Sequence, residues 1–193
     1  MCLYILFIIY IFIHIMSICR LDNWNIECEN IINKQINIEL TASYIYQQLF
    51  SFFNKDNLSL NNIANYFNKC SLEEREHAEA FIKYQNKRGG NIIFDNIIIN
   101  NFNLNNLCDD NSSILIAFEK VLELEQYVYE CLKNVHVVAN KHNDTHLVDY
   151  IESEFFTEQI DVLNEIANYI SKLRRINDNG LGIIIFDKDI IKV

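Results

Sequence analysis

Residues 73–90 read EEREHAEAFIKYQNKRGG, a run of good helix formers closed by a glycine pair. Followed backward, its apolar positions recur in steps of three and four: Ile63, Phe67, Cys70, then Phe81 and Tyr84. That period lays one stripe along one face of a helix. Glu74 and His77 stand where the rhythm calls for two more apolar residues. Ser59 supplies a side-chain acceptor for a helix start, and Gly89-Gly90 a natural stop.

Three further stretches repeat the pattern. The first carries Ile32, Ile36, Glu39, Ser43, Tyr46, Phe50 and Phe53. Another carries Phe118, Val121, Glu125, Val128, Leu132, Val135 and Ala139, and the last Phe155, Gln159, Val162, Ile166, Tyr169 and Leu173. With Asp22 or Asn23 as the first cap, Asp109, Asp110, Ser112 or Ser113 as the third, and Asn143 or Asp144 as the fourth, helices are predicted over 24–53, 59–88, 112–140 and 144–175. Each is about 42 Å long at the α-helical rise. Four such rods with one apolar stripe apiece make an all-α four-helix bundle. Short connections make helices one and two, and three and four, antiparallel. Residues 91–111 are long enough to cross the whole bundle, and IIFDNIII within them predicts a short strand-like segment along it. Beyond Gly180, LGIIIFDKDIIKV fits a short apolar helix or a strand, and its apolar residues need a docking surface.

Composition narrows the function. The chain has 193 residues, no proline, four glycines and a net charge of −10. The absence of proline and scarcity of glycine argue against a turn-rich β fold, and the acidity argues against a nucleic-acid partner. Residues 1–19 carry no acidic or basic side chain other than His14, and Ser17 and Cys19 are small residues spaced for a cleavage site. They form a signal-peptide-like or anchor-like leader, leaving 20–193 as one domain that, once the leader is removed, has no membrane span. The leader points to the secretory pathway. Six scattered cysteines with no CxxC pair exclude a thiolate zinc site.

Each stripe is broken by a polar group: Glu39 with Tyr46, Glu74 with His77, Glu125, and Gln159. The predicted helix midpoints fall near residues 39, 74, 126 and 160, so the breaks share one layer. Buried carboxylates without a cation cost several kcal/mol, about 3 or more each. Three carboxylates, one imidazole and one amide oxygen form a hard, oxygen-rich set suited to iron or manganese. Glu74 and His77, three apart, reach one ion from one helix face.

INIELTASYIYQQ (36–48), EEREHAEAFIKYQNKRGG (73–90), LELEQ (122–126) and NDTHLVDYIESEFFTEQ (143–159) closely resemble ferritin of the heavy, ferroxidase-bearing type, and IFDK (185–188) resembles its short terminal helix. The resemblance covers nearly everything after residue 22. It implies the ferritin-like bundle with one long crossover and a short fifth helix. It further implies oxidation of Fe(II) by O2 at a di-iron centre, and ferric mineral held in a shell of twenty-four subunits, homo-oligomeric or mixed with other ferritin chains. By position, Glu39, Glu74 and His77 match the first iron site. Glu74 bridges to a second iron near Glu125 and Gln159, and Tyr46 lies beside the centre. Asp149 and Glu152 match a three-fold pore that draws iron inward, and Glu73, Glu76 and Glu79 match cavity-facing residues that seed mineral. Thr145 departs from the family's usual proline, and Lys69 and Leu72 replace the denser acids of light-type chains. Besides a membrane-anchored helical scaffold, two other readings compete. One is a ferritin-like oxidase that protects against peroxide without storing mineral. The other is a secreted binding bundle, which predicts an apolar centre that Glu39, Glu74 and Glu125 contradict. Most of the family is cytoplasmic, the alternative location to the one the leader suggests.

Overall fold

In the computed structural model the described residues are 18–21, 24–99, 107, 112–177 and 179–190. All of their regular structure is helical: α1 (Ile26–Phe53), α2 (Asn61–Lys87), α3 (Ser112–Lys141), α4 (145–176) and the short α5 (Gly180–Ile190). Residues 1–17 of the leader lie outside the described set, and no described helix is long and apolar enough to cross a membrane.

The stripes become the core. Ile32, Ile36, Phe53, Ile63, Phe67, Phe81, Phe118, Val121, Leu132, Val135, Ala139 and Ile166 are buried, and Val162 and Tyr169 pack against them partly exposed. α1 and α2 pack most closely, where Ser43 and Ser71 donate their hydroxyls to each other's backbone carbonyls at 2.6 and 2.8 Å. α3 packs on α1 and α4, whereas the α2 and α4 backbones stay more than 8 Å apart at Cα. Aromatic side chains fill that wider seam. Phe81 stacks on Phe155 at 4.4 Å and Tyr84 on Tyr150 at 4.1 Å, and Tyr66 meets Tyr169 edge-on at 5.5 Å.

The ends of the helices differ in part from the predicted caps. α1 begins at Ile26, and Asn25 accepts the Glu27 amide at 2.8 Å; Asp22 and Asn23 lie outside the described residues, as do Asp109 and Asp110. Ser59 does not cap α2. Its own φ is +53°, and the acceptor comes from α5: Asp187 takes the Asn62 and Ile63 amides at 3.1 and 2.9 Å. Burying α5 against α2 thus also satisfies orphan amides of α2. At the other end Gly90 donates to Gln85 and Gly89 to Asn86, the paired bonds of a Schellman cap. Gly89 has φ +72°, and a Cβ there would sit 2.7 Å from the Arg20 backbone nitrogen. Asp144 caps α4 through the Leu147 amide at 3.0 Å.

The crossover is extended but forms no strand over its described part. Its backbone is satisfied by one stripe of α1 instead. Asn91 donates to Glu29, Ile93 to Asn33, and Asn37 reaches the Asp95 and Asn96 carbonyls. Positions 29, 33 and 37 are successive turns, so side-chain amides and a carboxylate do what a neighbouring strand would do. The segment climbs parallel to α1, which sets α3 antiparallel to α1 and parallel to α2. Lys141 accordingly meets Glu27 at 2.6 Å, and Arg174 meets Glu119 at 2.8 Å.

α4 is not one uniform helix. Thr145–Ile151 and Thr157–Ile176 are α-helical, and Glu152–Phe156 is a π segment. The buried positions 147, 151, 155 and 159 are three successive steps of four. In a pure α-helix those steps would rotate the stripe about 120° away from the core. The wider π turn cancels that drift and returns Phe155 and Gln159 to the bundle axis.

Candidate metal centre

The predicted layer exists. Glu39 and Tyr46 come from α1, Glu74 and His77 from α2, Glu125 from α3 and Gln159 from α4. Apart from partly exposed His77 these side chains are buried, Glu39 completely. They fall into two linked groups. One ligand atom each from Glu39, Glu74 and His77 lies within 4.8 Å of the others. On the far side, Glu125 accepts the Tyr46 hydroxyl and the Gln159 amide, and Gln159 also donates to the Glu125 backbone carbonyl at 3.2 Å. The Glu74 carboxyl interacts with Glu39 on one flank and Glu125 on the other. It is therefore the joint between the groups.

The electrostatics of this layer are unbalanced. No described Lys or Arg pairs with Glu39, Glu74 or Glu125. Burial, and then the charge of Glu74, pushes the Glu39 carboxyl well above the usual carboxylate range. Burial, and then Glu125, does the same to Glu74, and burial raises Glu125 despite the Tyr46 and Gln159 hydrogen bonds. Glu39 Oε1 accepts from Gln35 at 2.8 Å, yet Glu39 Oε2 and Glu74 Oε2 are buried without a hydrogen-bond partner. Two orphaned carboxylate oxygens beside an imidazole are what a hard cation would satisfy. A cavity of about 130 Å³ opens from this layer between α2 and α4, lined in part by Tyr46, Glu74, His77, Glu125 and Gln159.

Two participants escaped the sequence reading. Glu158, at the cavity mouth, stands 3.4 Å from His77 Nε2 on the side away from Glu74, whose carboxylate is 3.5 Å from Nδ1. Gln35 orients Glu39 from one turn earlier. Gln35 was available as the i, i+4 neighbour of Glu39. Glu158 was hidden because a uniform α4 gives no reason for two adjacent residues to reach one cavity.

Most of the outlying acids stand apart from this layer. Asp149 and Glu152 are exposed at the start of α4, where they line a concavity of about 340 Å³ with Asn140, Asn143, Thr145 and Val148, and His136 Nε2 lies 2.7 Å from Glu152. Glu76 and Glu79 are exposed along α2, whereas half-buried Glu73 lines the outer part of the cavity. Lys69 pairs with Glu73 at 3.2 Å, and Arg75 and Lys83 pair with Glu79 at 3.7 and 3.8 Å.

Residues 29–176 match the ferritin-like domain family. Ferritin-4, chloroplastic, of Arabidopsis thaliana is 43% identical over 161 residues, which are 83% of this chain and 61% of that protein. A chloroplastic ferritin of Malus baccata var. xiaojinensis is 43% identical over 176 residues, 91% of this chain and 69% of its own length. The ferritin middle subunit of Aquarana catesbeiana is 38% identical over 173 residues, covering 89% and 95%. The chain thus spans about three fifths of the Arabidopsis relative and nearly all of the frog one. With the crossed four-helix bundle, the short fifth helix and the match over residues 29–176, the chain belongs to the ferritin family.

Proposed function

We propose that this chain oxidises Fe(II) with O2 at the Glu39, Glu74, His77, Glu125, Gln159 layer and stores the ferric product as mineral in a shell of twenty-four subunits, formed alone or with other ferritin chains. The observation that carries the proposal is the pair of buried, unpartnered oxygens on Glu39 and Glu74 beside His77. Glu39 and His77 hold the first iron, and Glu74 spans the gap to a second held by Glu125 and Gln159. Two Fe(II) held by these residues would give O2 one electron each; the two protons needed to complete hydrogen peroxide would come from solvent, leaving two Fe(III). Carboxylates favour the more highly charged ion and so lower the cost of its oxidation. Tyr46, donating to Glu125, holds that carboxylate in place.

Gln159 is neutral where a fourth carboxylate would bind iron more tightly, so the second site releases its product to the mineral. Gln159→Glu with Val162→His is expected to retain iron, and unaltered turnover and release in that variant would remove this part of the proposal. Asp149 and Glu152 gather Fe(II) at a subunit junction, and Glu73, Glu76 and Glu79 seed mineral. Residues 1–19, apolar and without the basic, hydroxyl-rich character of an organellar transit peptide, route the chain into the secretory pathway, whereas the plant relatives are named chloroplastic.

The test is aerobic addition of Fe(II) to the wild type, Glu74→Ala and His77→Ala. Both variants are expected to lose rapid oxidation while keeping the size of the assembled shell. Unchanged oxidation would overturn the site, and a small hydrodynamic size at full iron load would overturn storage.

A further inference from the structure

The metal cavity carries a cation of its own at the mouth. Lys69 lies one turn before Glu73 on α2, and its ammonium is 3.2 Å from the Glu73 carboxylate. Both line the cavity, together with Glu158 and Glu165 of α4. The buried residue Glu74, with its unpartnered Oε2, lines the same space, and Glu39, whose Oε2 is also unpartnered, adjoins Glu74. A cation arriving from solvent therefore passes three carboxylates and one ammonium before it meets the buried set. About 130 Å³ accommodates an ion with about four waters.

The Lys69–Glu73 pair is a solvated i, i+4 pair, with side-chain exposures of 76% and 43%. Pairs of this kind contribute only about 0.2–1 kcal/mol and exchange readily. A divalent ion carries twice the charge of the ammonium and is drawn by all three carboxylates that line the mouth, Glu73, Glu158 and Glu165, whereas Lys69 pairs with Glu73. The ammonium is thus strong enough to occupy the mouth and weak enough to leave it.

We infer that Lys69 is a tethered competitor for divalent cations at the mouth of the metal cavity. It sets how much free Fe(II) is needed to load the centre, and does not set the rate of the loaded centre. The inference rests on the proposed function only for the identity of the cation. Cation competition itself is readable with an ion that O2 does not oxidise under these conditions.

The test uses the assembled full chain as wild type, Lys69→Gln and Lys69→Arg, titrated with Co(II) by its visible absorption and assayed for Fe(II) oxidation. Lys69→Gln is expected to lower the half-saturating concentration of both ions about three-fold at low ionic strength, the scale of losing one exposed charge. The difference vanishes in 1 M salt, where the screening length is about 3 Å. The maximal oxidation rate is unchanged, and Lys69→Arg, which keeps the charge, follows the wild type. Equal Co(II) affinity in wild type and Lys69→Gln at low salt would overturn the inference, as would a Lys69→Arg variant that behaves like Lys69→Gln. A wild type that binds Co(II) but never oxidises Fe(II) would instead overturn the proposed function and leave the Lys69 comparison standing.

Discussion

Two of the buried charged clusters among the described residues lie along α2, and their charges are balanced in opposite ways. At the end of α2, Arg88 grips Asp144 with two nitrogens at 3.0 and 2.7 Å, donates to the Tyr84 hydroxyl at 2.7 Å, and lies over the Trp24 ring at 4.4 Å. Asp144 spends its remaining capacity capping α4. The charges of that cluster are matched within the protein. Fourteen residues earlier on the same helix, about 21 Å away, Glu74 shares the core with Glu39 and Glu125, no described Lys or Arg pairs with any of them, and two oxygens have no hydrogen-bond partner. The chain can build a satisfied buried ion pair and leaves the central one open. On the proposed function, the deficit at the centre is a reserve of binding energy for a cation, held in place by the rest of the core.

The sharpest way to break this contrast is to remove one partner from each cluster in the metal-free protein. Arg88→Ala leaves Asp144, which is 1% exposed, as an unpaired buried charge, and is expected to cost about 3–5 kcal/mol. A guanidinium unfolding midpoint close to the wild type would show that the pair is dispensable. Glu39→Gln goes the other way. The amide oxygen can still accept from Gln35, a buried acid with no cation disappears, and metal-free stability is expected to rise by about 1–2 kcal/mol. The same variant loses Co(II) binding at the centre. If Glu39→Gln destabilised the metal-free chain as Arg88→Ala does, the central carboxylates would be structural and the contrast would fail.

A smaller effect tests how α5 belongs to the bundle. Asp187→Ala removes the acceptor for the Asn62 and Ile63 amides and the Asn62 side chain. The expected cost is about 1–2 kcal/mol, with faster hydrogen exchange confined to the first turn of α2. Exchange equally accelerated along the whole helix would mean that α5 contributes packing and the cap contributes nothing.

What could be read from sequence divides along the same physical line as these clusters. The four long helices were legible because each stripe repeats within one segment, and helices of similar length with a shared rise put Glu39, Glu74, Glu125 and Gln159 at one height. Both are local arithmetic. The Asp187 cap was not legible, since its partner amides lie 125 residues away in the chain and Ser59 offered a plausible local substitute. Nor was the pairing of 91–96 with Glu29, Asn33 and Asn37, because apolar IIFDNIII suggests a strand and nothing in it shows that amide side chains will supply the partner. Glu158 and the π segment failed together: a uniform period was assumed for α4, although the run of four-residue steps from Leu147 to Gln159 already departs from it.

The smallest expected effect sharpens the comparison at its satisfied end. Cys28 is fully buried there, a free thiol beside the Arg88–Asp144 pair. Burial and then the Asp144 charge push it up to about 11, with Arg88 pulling the other way. Because the folded thiol holds its proton to higher pH than the unfolded one, Cys28 favours folding less as pH rises between about 9 and 11. By pH 10 the loss is about 1 kcal/mol, one pKa unit's worth. Cys28→Ser, whose hydroxyl does not titrate, is expected to flatten that part of the stability curve. Alkylation gives an independent reading: buried Cys28 is expected to resist alkylation at pH 8 in the folded chain and to react once the chain is unfolded. In Arg88→Ala the cation that lowers the thiol is gone, and Cys28 is expected to titrate higher still. A downward shift would mean that Asp144 had been neutralised or expelled to water, so that this end of the bundle, unlike its centre, cannot hold a bare carboxylate at all.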